Sequence, residues 1–235
     1  MSKAAKPPGT QALVITIDGP AGAGKSTVAK LLAKALGLMY LDTGATYRTL
    51  AYAAHQAGVV TDVERVVALA KQLPIEFQAS SDSSQRVLLG GEDVSTAIRS
   101  ERVTEAAALI SQYPEVRSAM VDLQRRLASR QGVVVEGRDT GSVVFPDASY
   151  KFFLDAPQTI RAKRRQQELS RLYGSEPPLA QVTEQLEFRD GLDRTRRVGP
   201  LVKPSGAVTI DTGDRTTEQV VEAMLRHISS KPQPK

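Results

Sequence analysis

The stretch Val14-Ile15-Thr16-Ile17-Asp18-Gly19-Pro20-Ala21-Gly22-Ala23-Gly24-Lys25-Ser26-Thr27-Val28 decides the fold. It opens on a short β-branched run, the mark of a strand buried on both faces. Gly19 to Ser26 then fit the spacing G-x-x-x-x-G-K-[ST] of the Walker A phosphate loop. Beyond it Val28, Leu31, Leu32, Ala35 and Leu36 share one apolar helical stripe. Strand, loop and helix in that order suit anion binding. Glycines let the backbone aim its N–H groups inward, and the helix N-terminus adds partial positive charge. Gly19, Pro20, Ala21, Gly22, Ala23, Gly24, Lys25, Ser26 and Thr27 are therefore expected to hold a nucleoside triphosphate. Lys25 would reach the β- and γ-phosphates, and Ser26 would offer a hydroxyl to Mg²⁺.

Outward from this stretch, four more short apolar runs read as strands: Leu38–Leu41, Val133–Val135, Tyr150–Leu154 and Ala207–Ile210. Helical patterns follow most of them, so the fold class is α/β. It is a three-layer α/β/α arrangement of P-loop type with a five-stranded parallel sheet. Leu41 and Val133 stand about 90 residues apart, far beyond an ordinary crossover. That interval must hold an inserted subdomain, helical at 44–57, 62–73, 100–112 and 114–130. A hairpin of Ile75–Ala79 and Arg86–Leu89 would turn across Ser80–Gln85. One kinase-sized domain is expected over 11–228, with core segments 11–42, 132–164 and 201–228. The acceptor-binding insertion would span about 43–131 and a mobile, Arg- and Glu-rich lid about 165–200. The ends, 1–10 and 229–235, read as flexible tails.

Composition removes whole chemistries. There is no cysteine, which excludes disulfides, thiolate metal sites and cysteine nucleophiles. The two histidines, His55 and His227, are too few for a histidine metal site and make a poor general base. No apolar run approaches the ~20 residues of a membrane span, and the first ten residues lack the apolar core of a signal peptide. A cytoplasmic location without membrane contact is expected. The net charge of +5 points to acidic partners. A nucleic-acid binder is disfavoured, because acids stand among the basic residues along the chain, as at Asp190 and Asp193, and aromatic residues make up only 5% of it. A regulatory GTPase is excluded too: none of the 17 glycines follows an aspartate at the required spacing of three. What remains is chiefly the small kinases.

Three segments look like the acceptor side. Asp42-Thr43-Gly44-Ala45-Thr46-Tyr47-Arg48 follows the second strand, so it opens at the carboxyl edge where ligands of such sheets sit. Arg48 could pair with an acceptor phosphate, and Thr43 or Tyr47 could meet a base. Glu136-Gly137-Arg138-Asp139-Thr140-Gly141 ends the third strand. Arg138 is placed for phosphate charge. Asp139 accepts only, so it suits the exocyclic amine of cytosine and repels the uracil O4. The plainer alternative is an ion pair between the neighbours Arg138 and Asp139. In the third, Arg189, Asp193 and Arg196 share a helical face within Arg189-Asp190-Gly191-Leu192-Asp193-Arg194-Thr195-Arg196-Arg197. With a second cluster of Arg161, Arg164 and Arg165 they could close over the transferring group; a solvated, salt-bridged helix is the alternative. Gly191 costs this helix about 1 kcal/mol relative to alanine, so it is expected to form on closure.

Together these motifs resemble bacterial cytidylate kinases. The likeness runs from about 12 to 227 and adds Gly91-Glu-Asp-Val-Ser95, Ile98-Arg99, Ser142-Val-Val-Phe-Pro-Asp-Ala148, Phe153-Leu-Asp-Ala156 and Ile210-Asp-Thr212 to the segments above. The resemblance implies ATP-dependent phosphorylation of CMP and dCMP to CDP and dCDP with Mg²⁺. It implies that Thr43, Arg117 and Asp139 read cytosine. Arg48 and Arg138 would hold the acceptor phosphate, Arg189 and Asp193 would meet the ribose, and Arg196 the base or phosphate side. Lys25, Arg138 and Arg189 would be the catalytic cations. Two positions depart from the family pattern: Thr43 stands for a frequent serine, and Ala108 for a serine that contacts the nucleotide. The expected partners are therefore small nucleotides, acting on a monomer. The alternatives are a small P-loop kinase for UMP or a metabolite such as shikimate, and a nucleotide-gated binding module without transfer.

Overall fold

A computed structural model describes residues 13–79, 85–129 and 131–230. Five parallel strands form the main sheet: β1 (Val14–Asp18), β2 (Met39–Asp42), β6 (Val133–Gly137), β7 (Tyr150–Asp155) and β8 (Val208–Asp211), in the order β2-β6-β1-β7-β8. Each apolar run of the sequence becomes one strand, shifted or extended by one or two residues at its carboxyl end. The reason is chemical. The polar residues that close β1, β2 and β6 still pair in the ladder: Asp18 lies opposite Gly137, and Asp42 opposite Glu136. One sheet edge thus gathers Asp18, Asp42, Glu136 and Gly137.

Helices cover both faces. On one, α1 (Lys25–Leu36) and α8 (Thr217–Ser230) pack Val28, Leu32, Val220 and Met224 onto Ile15, Ile17, Phe152 and Leu154. On the other, Leu41, Val133 and Val135 meet Ala128 from the end of α5 (Pro114–Ala128). The insertion between β2 and β6 has a core of its own. Leu50, Val66, Ile98, Ile110 and Met120 gather there from α2 (Thr43–Gln56), α3 (Val63–Gln72), the turn at Ala97–Arg99, α4 (Glu101–Ile110) and α5. Its small antiparallel sheet joins β3 (Ile75–Ala79), β4 (Gln85–Leu89) and β5 (Glu92–Asp93). The hairpin turn expected at Ser80–Gln85 falls mostly outside the described residues, as do tail residues 1–10 and 231–235. Ser229 and Ser230, expected in the tail, end α8 instead.

The segment expected as a lid, 165–200, holds the second half of α6 (Gln158–Tyr173) and all of α7 (Leu179–Thr195). Helix α7 runs unbroken through Gly191. Its contacts account for that. Val182 and Leu186 pack with Ala162 on Ala21 of the phosphate loop, and burial of two such side chains outweighs the cost of one glycine. None of the described helices is long and apolar enough to cross a membrane.

Candidate active site

At the carboxyl edge of the sheet lies a cleft of about 1350 Å³. Ala21 to Thr27 line one end. The phosphate loop reaches its shape through positive φ at Gly19, Gly22 and Gly24, the last of which starts α1. Gly19 and Pro20 lie behind the lining rather than in it. Pro20 serves through its carbonyl, which accepts from Lys25 Nζ at 2.7 Å. Ser26 and Thr27 are exposed to the cleft. Burial pushes the Lys25 ammonium down to about 7, and the Arg138 charge adds to this against Glu136 and Asp193. A phosphate anion beside it would restore the charged form.

All nine expected acceptor-side residues line the same cleft: Thr43, Tyr47, Arg48, Arg117, Arg138, Asp139, Arg189, Asp193 and Arg196. They come from three bodies. Thr43 opens α2, where Asp42 caps the helix by accepting from Ala45 N at 2.9 Å. The Thr43 hydroxyl donates to Glu136 O at 2.7 Å, which ties α2 to β6. Arg48, one turn on, pairs with Asp42 at 2.9 Å. Arg117, from α5, is buried, pairs with Asp139 and lies 5.5 Å from the Tyr47 ring centre. Burial drives the Tyr47 phenol up to about 12, so it stays a neutral donor.

The alternative pairing of Arg138 with Asp139 does not form. Both residues lie in the bend just beyond β6 (Val133–Gly137), and each is taken by a more distant partner. Arg138 Nε instead donates to Asp193 at 2.8 Å, and Asp139 takes Arg117. Asp193 also accepts from Arg196 at 2.9 Å. Burial alone would raise the Asp193 carboxyl, but Arg138, Arg196 and Arg189 hold it below the usual carboxylate range. Burial and Arg138 bring Arg189 down to about 10, still a cation at neutral pH. The base-reading and phosphate-holding candidates are thus already oriented by one another. Arg196 NH2 and Arg117 Nε are buried without a hydrogen bond, although Arg196 NH2 lies 3.9 Å from the Asp139 carboxylate.

The basic cluster on α6 divides. Arg164 and Arg165 line the cleft, and Arg164 is anchored on the Thr212 carbonyl at 2.6 Å. Arg161 is turned away from the cleft, contrary to expectation. Its NH1 bridges Ala21 O (3.0 Å) and Asp190 (2.6 Å), and Asp190 accepts from Ala21 N at 3.3 Å. Both polar groups of a phosphate-loop residue are therefore held by a buried ion pair.

Some contributors were not apparent from sequence. Glu136 is buried beside Ser26 and accepts from that hydroxyl and from Tyr40 (2.7 Å); burial and the nearby Asp42 raise its carboxyl. Its place at the end of the strand next to the phosphate-loop strand was the available signal. Ala108 also lines the cleft. Its carbonyl accepts from Ser111 Oγ at 2.8 Å, so the nearby hydroxyl is engaged with backbone.

The chain is similar to known proteins along nearly its whole length. Residues 15–230 match the family described as cytidylate kinase. A cytidylate kinase of Caldanaerobacter subterraneus subsp. tengcongensis is 46% identical over 91% of this chain and 93% of its own. One of Desulfitobacterium hafniense is 44% identical over 93% and 94%, and one of a Geobacillus species 45% identical over 92% and 96%.

Proposed function

The chain belongs to the cytidylate kinase family, and from that premise we propose that it transfers the γ-phosphoryl group of ATP to CMP and dCMP, giving CDP and dCDP. One observation carries the reading. A phosphate loop and an arginine–aspartate set face each other across a single cleft of about 1350 Å³, more than the ~300–1,000 Å³ of a site for one small ligand. Two nucleotides fit that space and that charge.

The acceptor is a phosphate, already nucleophilic, so no general base is needed and the shortage of histidine is no handicap. Catalysis is then positioning and electrostatics. Lys25, held by the Pro20 carbonyl, faces the transferring group. Arg138 and Arg189 meet the charge that spreads over it, and Asp193 fixes the angle of Arg138. Arg48 holds the acceptor phosphate beside Arg138. Thr43, Tyr47, Arg117, Asp139 and Arg196 surround the base. A carboxylate at 139 accepts from the cytosine amine and repels the carbonyl that uracil has in that place.

The residues fit Mg²⁺ as well. The Ser26 hydroxyl and the buried Glu136 carboxylate are hard oxygen donors side by side. That suits an ion which takes few protein ligands and completes its shell with phosphate and water. Mg²⁺ supplies charge neutralisation between the phosphates when bound. A monomer working on the cytoplasmic nucleotide pool is part of the same proposal, because the nucleotides it would use are small soluble molecules.

An ADP-release assay across CMP, dCMP, UMP, AMP and GMP tests the proposal. The expected outcome is turnover with CMP and dCMP well above the others. Lys25→Ala should keep the fold and lose roughly 10²–10³ in kcat. Turnover led by UMP, or ATP binding without release for any acceptor, would remove the reading.

A further inference from the structure

Asp18 takes no part in the chemistry above, yet it is fully buried at the end of β1, directly before the phosphate loop. Three donors converge on it. Thr140 N and Thr140 Oγ1 donate to Oδ1 at 2.7 and 2.8 Å, and Gly141 N donates to Oδ2 at 2.7 Å. These donors belong to the two residues after Asp139. Burial lifts the Asp18 carboxyl to about 6, and the bonds from Gly141 and Thr140 pull the other way. The turn they anchor is tight: the Asp139 carbonyl accepts from both Val143 N (2.9 Å) and Val144 N (3.2 Å). A side chain on Gly141 would stand 2.7 Å from Thr16 Oγ1 and 3.0 Å from Pro204 Cγ, so the turn has no room to shift.

We propose that Asp18 is a positioning residue for base recognition, holding the Thr140–Gly141 turn so that the Asp139 carboxylate faces the pyrimidine edge. The same residue leads the chain into the phosphate loop, so one side chain sets the spacing between donor and acceptor sites. This rests on the reading of Asp139 as the group that tells cytosine from uracil. Replacement by asparagine shows why the charge matters. An amide has one accepting oxygen and one donating nitrogen. In either orientation of that amide, an N–H donor of the turn meets another N–H.

The test measures steady-state kinetics of Asp18→Asn, Thr140→Val, Asp139→Asn and the double variant Asp18→Asn/Asp139→Asn with CMP and with UMP. Loss of one charge-assisted bond predicts for Asp18→Asn a roughly tenfold rise in KM for CMP and a roughly fivefold fall in CMP-over-UMP preference. KM for ATP should stay within about twofold. Thr140→Val removes only the hydroxyl bond and should move the same ratio less; it carries the test if Asp18→Asn does not fold. In the double variant the preference should fall no further than in Asp139→Asn, because Asp18 acts through Asp139. Equal losses on CMP and UMP, a parallel rise in KM for ATP, or additive effects would overturn the proposal while leaving Asp139 as the reader. An unchanged preference in Asp139→Asn would overturn the base-reading assignment itself, and the proposal with it.

Discussion

Asp193 accepts from Arg138 and from Arg196, and its acidity has a direct consequence. Those arginines hold its carboxyl below the usual range despite its burial. The unfolded carboxyl therefore takes up a proton at higher pH than the folded one. The stabilisation is present above the ordinary carboxylate value and is lost as pH falls through the lower, folded value. Asp193→Asn should cost about 1–3 kcal/mol at neutral pH. Its thermal midpoint should also fall less steeply than the parent's between neutral pH and about pH 3. Identical acid limbs in thermal melts of the two proteins would contradict the assignment. Single residues were the least legible level of the sequence. Lys25 and Ser26 could be read because their motif is local. The partners of Arg138 and Asp139 could not: Asp193 lies 55 positions from Arg138, and Arg117 lies 22 from Asp139. Local spacing offered only the neighbouring pair as an ion pair, whereas both partners come from segments far along the chain.

At the scale of elements, the sequence showed the strands well and the lid poorly. Strands β1, β2, β6, β7 and β8 are each marked by a short apolar run, a signal contained in four or five residues; β1 and β6 are buried on both faces, whereas β8 at the sheet edge leaves Thr209 exposed. Helix α7 carries no such stripe. Its buried residues include Val182, Leu186, Asp190 and Asp193, so half of its inward face is charge held by partners elsewhere. The Asp190–Arg161 pair fastens this helix to Ala21. Removing one member of a buried pair leaves the other uncompensated, at a cost of about 3–5 kcal/mol. Asp190→Ala should therefore speed amide exchange in α7 and around Ala21 at least tenfold, while α3 in the insertion is unchanged. Exchange that rises evenly over the molecule would mean a general loss of stability and no specific fastening. Gly199 shows the same dependence on distant partners. It has φ +61°, and a side chain there would overlap the Asp139 carboxylate.

At the scale of the whole molecule, the insertion and the sheet keep separate apolar cores, joined where β6 meets the end of α5. Cooperative units of this kind open independently. CMP should slow amide exchange mainly in α2 and α5, which supply Thr43, Arg48 and Arg117, whereas a non-hydrolysable ATP analogue should protect β1 and α1. Each ligand would add about 2.7 kcal/mol to its own unit at a hundredfold excess over Kd. Hydrogen-exchange mass spectrometry reads both, and a single pattern of protection for either ligand would refute the separation. The sequence showed this division only as an interval too long for a crossover; the insertion's packing depends on contacts between helices that no short window contains. The two cores also matter for descent. A substitution in the insertion's interior is felt first by the acceptor's surroundings and last by the phosphate loop. Lineages can therefore remodel what is phosphorylated while inheriting unchanged the machinery that does the phosphorylating.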